Sequence, residues 1–312
     1  MAVYLSSDPR DYARRVLTDL EIVRPPIEVE PILEYFGLQV RGFPPDLMSR
    51  FGGSILSIGA IDSMLLRFGN DEAVILVGEN LQRHRRRMSI FHEVGHADLP
   101  WHRDSSFVCD GNPWLRHQPE IERQAFSYAA EMMMPLQMVS NYVRDLPFCA
   151  ENIGIISRTF DVSFEAAAIR FLKLTDRPCA MGLIVPSSED GGACRLHWMK
   201  YVLRSKSFPT GLTGRRHIPD QDLISGFIAD QSASRGRITA RDLGVSQSWS
   251  AECEMKYHGP GSALMLLSIP DVRIKLSLPK GVTSESRTIR QSLVRETGSQ
   301  GSLDLGPAQG PA

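Results

Sequence analysis

The sequence predicts a mixed α+β fold, for three reasons. Residues 51–78 contain short apolar segments of strand length, such as "AVILVG". The next two segments, "RHRRRMSIFHEVGH" and "EIERQAFSYAAEMMMP", are typical of helices. From Pro178 onward the pattern changes again, because segments such as "CAMGLIVP" are strand-like. The chain has 312 residues, a length that indicates about two domains.

The elements follow one another in a simple order. Residues 1–40 are predicted to form two helices interrupted by Pro25–Pro26. Three strand candidates follow, "GSILSIG", "SMLLRF" and "AVILVG", and then the two helices just quoted, the second ending near Pro135. Residues 150–174 are predicted to form a helix–turn–helix-like pair in which Ser163 caps the second helix.

The C-terminal part is predicted to contain strands, a hairpin at the turn Gly-Pro-Gly, and helices at about 220–231 and 239–243. The segment after Lys280 is polar and rich in Gly, Ser and Pro, a composition typical of disorder. These patterns define four predicted regions: an N-terminal domain over 1–148, a helix–turn–helix-like segment over 149–178, a smaller α+β domain over 179–278, and a disordered tail over 279–312.

Composition limits the classes of function. The net charge of −1 gives no global field that would attract nucleic acid, and no apolar stretch approaches the length of a membrane span. The N-terminus lacks the apolar core of a signal peptide. Five scattered cysteines, an odd number, indicate a reducing compartment. We therefore expect a cytoplasmic protein without a membrane partner.

The stretch "SIFHEVGHADLPWH" carries the chemistry. His92 and His96 are four residues apart, so on a helix they lie on one face and can bind one Zn²⁺. Glu93 borders the same position and can take a proton from a metal-bound water, which is the mechanism of the H-E-x-x-H motif. Gly95 is unfavourable inside a helix, and a close approach of a neighbouring segment would explain it.

A catalytic zinc site normally has three protein ligands, so a third ligand must lie elsewhere. The downstream candidates are His102, Cys109, Asp110, His117, Glu120, Glu122 and Glu131. Glu122 is favoured, because it falls on the apolar stripe of its helix, where a carboxylate is unusual unless it is paired or binds a metal. Glu120 and Glu131 fall on roughly the opposite side. A solvated first-turn glutamate is the alternative for Glu122.

With these residues in place, "RRRMSIFHEVGH" followed by "ERQAFSYAAEMMMP" resembles the ImmA/IrrE family of bacterial and phage zinc metallo-endopeptidases. The upstream "PPIEVEPILEYFGLQV" is also similar to that family, and the resemblance covers about residues 10–175. It implies a zincin-like peptidase domain within 1–148. It makes His92, His96 and Glu122 zinc ligands and Glu93 the general base.

One departure concerns Phe126, which stands where the family usually has Asn. An Asn there would support the ligands from outside the coordination sphere. The resemblance further implies that the protein substrate is a helix–turn–helix transcriptional repressor.

Several alternatives remain open at the level of sequence. The edge of strand "AVILVG" could bind substrate by strand addition, or the strand could be core. His102 or His117 could line the cleft or stabilise an oxyanion, although an exposed loop histidine is favoured for each. Cys109 could be a redox-sensitive thiol or an inhibitory ligand, although a structural cysteine is favoured. The run "RHRRR" at 83–87 could attract an acidic partner, although a solvated first helical turn is favoured.

The main competing function is a regulator that binds DNA or protein through residues 150–174 and keeps zinc for structure. A sensor acting through residues 179–278 is compatible with either function. The predicted second helix, "FEAAAIRF", offers few long polar side chains to reach base edges, so we expect no specific nucleic-acid binding. The sequence therefore favours a cytoplasmic zinc endopeptidase.

Overall fold

The computed structural model describes residues 6–43, 62–68, 72–102, 107–109, 120–186, 197–219, 224, 226–227, 234–259 and 261–270. The strand candidate "GSILSIG", the predicted tail 279–312, and most of the helix predicted at 220–231 lie outside these residues. The fold is a mixed α+β fold, as predicted. None of the described helices is both long and apolar enough to span a membrane.

The first half of the described chain is mainly helical around a small sheet. Its helices are α1 (Pro9–Asp19), α2 (Glu30–Phe36), α3 (Arg83–Asp98), α4 (Glu120–Met133), α5 (Leu136–Asp145), α6 (Ala150–Phe160) and α7 (Phe164–Leu174). Its strands are β1 (Gln39–Phe43), β2 (Ser63–Arg67), β3 (Ala73–Gly78) and β4 (Phe107–Cys109).

The first sheet has the strand order β1-β3-β2-β4. Strand β3 pairs in parallel with β1 and antiparallel with β2, so both of its edges are occupied. The suggestion that "AVILVG" offers an edge to a substrate is therefore wrong, because this strand is central. Among the described strands, β1 and β4 lie at the edges of this sheet.

The second sheet is antiparallel and has the order β7-β6-β5-β10-β9-β8. Its strands are β5 (Cys179–Pro186), β6 (His197–Arg204), β7 (Arg216–Ile218), β8 (Ser234–Thr239), β9 (Ser250–Gly259) and β10 (Ser262–Ser268). Strands β9 and β10 form the predicted hairpin. The sequence did not predict β8, and the helix predicted at 239–243 is one short 3-10 turn, Arg241–Leu243.

Local signals explain where several helices begin and end. Asp8 caps α1 by accepting a hydrogen bond from the backbone N–H of Arg10, and Pro9 occupies the first turn. Ser163 caps α7 by accepting from the N–H of Ala166, as predicted. Asp161 ends α6 in the left-handed conformation, at φ 51°. Residues 150–174 therefore form two helices with a three-residue turn.

Salt bridges at this turn fix the helix pair against α3. The carboxylate of Asp161 lies 2.9 Å from Arg83, 3.3 Å from His84 and 3.1 Å from Arg87. Arg87 is buried, and it donates to the backbone oxygen of Ile27 as well. The prediction of a solvated "RHRRR" turn is therefore wrong for Arg87, because its guanidinium contacts three parts of the chain.

Two hydrophobic clusters form the core of the described residues. The larger one joins helices α1 to α7 with the first sheet, and it also contains Met181, Leu183, Leu264 and Leu266 from the second sheet. The smaller one lies within the second sheet and its connections. The described residues up to Pro270 cluster as one compact unit. The larger cluster thus has members on both sides of the predicted boundary at 178/179, which stays a prediction.

Candidate metal site

Helix α3 brings His92, Glu93 and His96 to the centre of the fold, where all three are buried. The helix packs on α4 at Gly95. A Cβ at Gly95 would lie 3.2 Å from the Cβ, Cγ and Cδ1 atoms of Tyr128. The expected close approach is therefore present, and the neighbour is an aromatic side chain. It lets α4 come near enough to place Glu122 beside the two histidines.

The three residues meet through the atoms that a metal would use. The two Nε2 atoms of His92 and His96 lie 3.1 Å apart. Glu122 places Oε2 3.1 Å from His92 Nε2 and Oε1 3.4 Å from His96 Nε2. Tetrahedral zinc with bonds of about 2.0–2.1 Å needs ligand atoms roughly 3.3 Å apart. The donor set fits zinc in both type and spacing.

Among the described residues, His92, His96 and Glu122 form the one group of metal-binding side chains whose ligand atoms all lie within 4.8 Å of one another. The structure therefore brings together the three residues that the sequence proposed as ligands.

Electrostatics favour the charge states that a metal requires. Burial lowers the pKa of His96 and outweighs the nearby carboxylates, so the ring is neutral near pH 7. Burial alone would raise the pKa of Glu122. Hydrogen bonding to His92 and His96 outweighs burial and holds the pKa of that carboxyl well below its usual range. Neutral imidazoles and an ionised carboxylate are the forms that bind zinc.

Glu93 is held by the first sheet. Its Oε1 accepts a hydrogen bond of 2.7 Å from the hydroxyl of Ser63, the first residue of β2, and both residues are buried. This bond fixes the carboxylate beside the pair of histidines without making it part of the three-residue group. The arrangement suits a proton acceptor better than a ligand.

Phe126 packs directly on the site. Its ring centroid lies 4.1 Å from that of His92 at an interplanar angle of 51°. An Asn at this position could hydrogen-bond to the site, whereas Phe126 restricts the His92 ring through contact alone. The departure from the family pattern thus replaces a polar neighbour by an apolar one.

The other candidate ligands are placed differently. His102 is fully buried, and its Nδ1 lies 3.0 Å from Nδ1 of His96, on the side of that ring away from Glu122. Burial lowers the pKa of His102 to about 4. Glu120 is exposed at the start of α4. Cys109 ends β4, and Asp110 and His117 lie outside the described residues.

Glu131 is buried, although the sequence puts it on the side of its helix opposite the apolar stripe. Its carboxylate lies 2.5 Å from Arg170 and 3.0 Å from Arg14. The sequence placed it correctly on the face of α4 opposite the apolar stripe. That face is covered, however, because α4 packs against α1 on one side and α3 on the other.

A cavity of about 490 Å³ adjoins the site at His92. Apolar side chains from four elements line it, among them Met88 of α3, Phe126 of α4, Ile169 of α7 and Leu183 of β5. Its volume is in the range of pockets that hold small molecules or a few residues of a peptide. A ligand in this cavity would lie against the proposed metal site.

Comparison with known proteins gives one family. Residues 48–172 match the family model Peptidase_M78, described as an IrrE N-terminal-like domain. Among solved structures, a chain described as "Mycobacterium tuberculosis transcriptional regulator" is similar, with a TM-score of 0.46 and 14% identity over 90% of this chain and 94% of that one. No curated protein matches. Residues 48–172 therefore carry an IrrE N-terminal-like domain of the Peptidase_M78 family, as the two helical motifs predicted.

Proposed function

We propose that this protein is a cytoplasmic zinc-dependent endopeptidase that hydrolyses a peptide bond in a protein substrate. The observation that carries the proposal is the meeting of His92, His96 and Glu122 beside the buried Glu93, in a domain of a peptidase family. The two histidines and Glu122 would hold the zinc ion. Such an ion supplies Lewis-acid chemistry that activates water and polarises a peptide carbonyl.

Glu93 is the proposed general base. Its carboxylate accepts the proton of the attacking water and then passes it to the leaving amine. Ser63 restricts the carboxylate by donating to Oε1, so the same group is in place for both proton transfers. A glutamine at this position keeps the size and the hydrogen bond to Ser63 but cannot accept the proton.

We further propose that the substrate is a helix–turn–helix transcriptional repressor, as the resemblance to the ImmA/IrrE family implies. The cavity beside His92 has room for a short peptide segment, which supports a protein substrate. Its walls combine apolar side chains with more cationic groups than carboxylates: the former are Arg85, Arg170, Lys173 and Lys200, and the latter are Asp62 and Glu165. A segment with apolar and acidic residues would suit that lining.

A DNA-binding regulator is the second candidate, and the placement of α7 argues against it. In that interpretation α7 would be the recognition helix and would need a free polar face. Residues 167–172 of α7 are buried, and Glu165 and Lys173 on either side of them line the cavity beside His92. The turn before α7 is held by Arg83 and Arg87. Few residues of α7 therefore remain that could enter the major groove of DNA.

The proposal is tested by comparing new protein N-termini in cells that make the wild-type protein and cells that make Glu93→Gln. We expect one or a few cleaved proteins, among them a helix–turn–helix repressor, only in cells with the wild-type protein. Identical sets of N-termini in both cell types would contradict the peptidase. Cleavage confined to proteins without a helix–turn–helix domain would contradict the proposed substrate alone.

A further inference from the structure

We infer that His102 is a positioning residue for the metal site, which fixes the ring and the proton of His96. The inference rests on the proposed function only for the metal, since its test measures metal affinity and not cleavage. His102 lies six residues after His96, in the 3-10 turn Pro100–His102 that follows α3. Both rings are fully buried, and their Nδ1 atoms are 3.0 Å apart.

The direction of this hydrogen bond follows from the chemistry of the site. A histidine that binds zinc through Nε2 keeps its proton on Nδ1. His96 turns Nε2 toward His92 and Glu122, so its Nδ1–H must donate outward. The atom it meets is Nδ1 of His102, which must accept. His102 must therefore carry its own proton on Nε2.

The next contact requires the same arrangement. Nε2 of His102 lies 3.0 Å from Oε1 of Gln124, so its proton has an acceptor. The same oxygen accepts a 2.7 Å hydrogen bond from the indole N–H of Trp101. An indole can only donate, so this bond fixes which end of the amide faces the two rings. The amide nitrogen of Gln124 donates to Glu120 at 3.2 Å on the other side.

Trp101 is itself fixed, because its ring packs edge-on against Tyr12 of α1, with centroids 5.4 Å apart. Each residue in this series therefore fixes the orientation of the next one. Trp101 orients Gln124, Gln124 orients His102, and His102 orients His96. Moving the proton of either histidine to its other ring nitrogen would place two donors or two acceptors against each other. Partners of this kind typically change metal affinity about 10- to 100-fold when they are lost.

His102 could instead be a zinc ligand, because its spacing from His96 matches that of the third histidine in H-E-x-x-H-x-x-G-x-x-H peptidases. The geometry opposes this assignment. The glycine of that pattern is Leu99 here, in an extended conformation at φ −71° and ψ 117°. The turn that follows brings His102 to Nδ1 of His96, on the opposite side of the ring from the atom that faces Glu122.

The test compares zinc affinity, measured by competition with a chromophoric chelator, in the full-length wild type and three variants. His102→Leu removes the acceptor, whereas His102→Asn keeps an oxygen near the position of Nδ1. His217→Leu is the matched control, because His217 is an exposed histidine of β7. We expect about 10- to 100-fold weaker zinc binding for His102→Leu, substantial recovery for His102→Asn and no change for His217→Leu.

A second measurement reads the protons and not the affinity. Histidine ¹⁵N NMR of the zinc-loaded wild type should show His102 protonated at Nε2 and unprotonated at Nδ1, and a proton on Nδ1 of His102 would overturn the inference. If His102→Leu does not fold, Gln124→Leu tests the same series one step further out, with a smaller loss of affinity expected. Zinc affinity equal to wild type in His102→Leu would overturn the inference. Full zinc binding in Glu122→Ala combined with none in either His102 variant would make His102 a ligand.

Discussion

Replacing Glu131 by alanine should destabilise the folded protein by about 3–5 kcal/mol, because the change leaves a buried arginine without its partner. The Glu131 side chain is 1% exposed, and its carboxylate accepts from Arg170 at 2.5 Å, from Arg14 at 3.0 Å and from the backbone N–H of Leu136 at 3.0 Å. Arg170 is 9% exposed, so its charge accounts for most of the loss. Arg14 is 34% exposed and contributes about 0–1 kcal/mol.

Urea unfolding followed by tryptophan fluorescence measures this loss. The double variant Glu131→Leu with Arg170→Leu removes both charges, so its loss of stability should be smaller than the sum of the losses of the single variants Glu131→Leu and Arg170→Leu. Glu151→Ala, an exposed glutamate of α6, is the control and should change stability by less than about 0.5 kcal/mol. A loss below about 1 kcal/mol for Glu131→Ala would refute the reasoning.

Three further predictions concern the contact between α3 and α4, the binding of DNA and the boundary at 178/179. Gly95→Ala should lower the free energy of unfolding in urea by about 1 kcal/mol and weaken zinc binding, because crowding against Tyr128 outweighs the gain in helix propensity. Unchanged or higher stability would show that Tyr128 can move aside. Duplex DNA should bind weakly, without sequence preference, and less as salt rises in fluorescence anisotropy; nanomolar sequence-selective binding would favour a regulator. A fragment of residues 1–178 should unfold at lower urea than the full chain, because it lacks Met181 and Leu264 of the larger core cluster; equal midpoints would make 178/179 a boundary between independent domains.

The sequence predicted the parts of the site that depend on local spacing. His92 and His96 lie four residues apart on one helix, and Glu122 lies on the apolar stripe of another, so both patterns could be seen without the fold. Gly95 signalled the contact between the two helices, although Tyr128 as the contacting residue required the structure.

The sequence did not predict the features that depend on tertiary packing. Glu131 lies on the face opposite Glu122, and periodicity alone makes such a face look solvated. Only the fold shows that α1 covers it. Similarly, His102 appeared as one loop histidine among several, because its partner Gln124 is 22 residues away and Trp101 gives no signal of its own. The hydrogen bonds from Trp101 to His96 depend on the 3-10 turn Pro100–His102, which residue spacing does not predict.

The central claim is that His92, His96 and Glu122 hold zinc while Glu93 does not. The most direct test is zinc content by atomic emission on purified wild type, His92→Ala, Glu122→Ala and Glu93→Gln, with Glu151→Ala as the control. We expect one zinc per chain in wild type, Glu93→Gln and Glu151→Ala, and little zinc in His92→Ala and Glu122→Ala. Full zinc content in Glu122→Ala, or its loss in Glu93→Gln, would contradict the assignment of these residues.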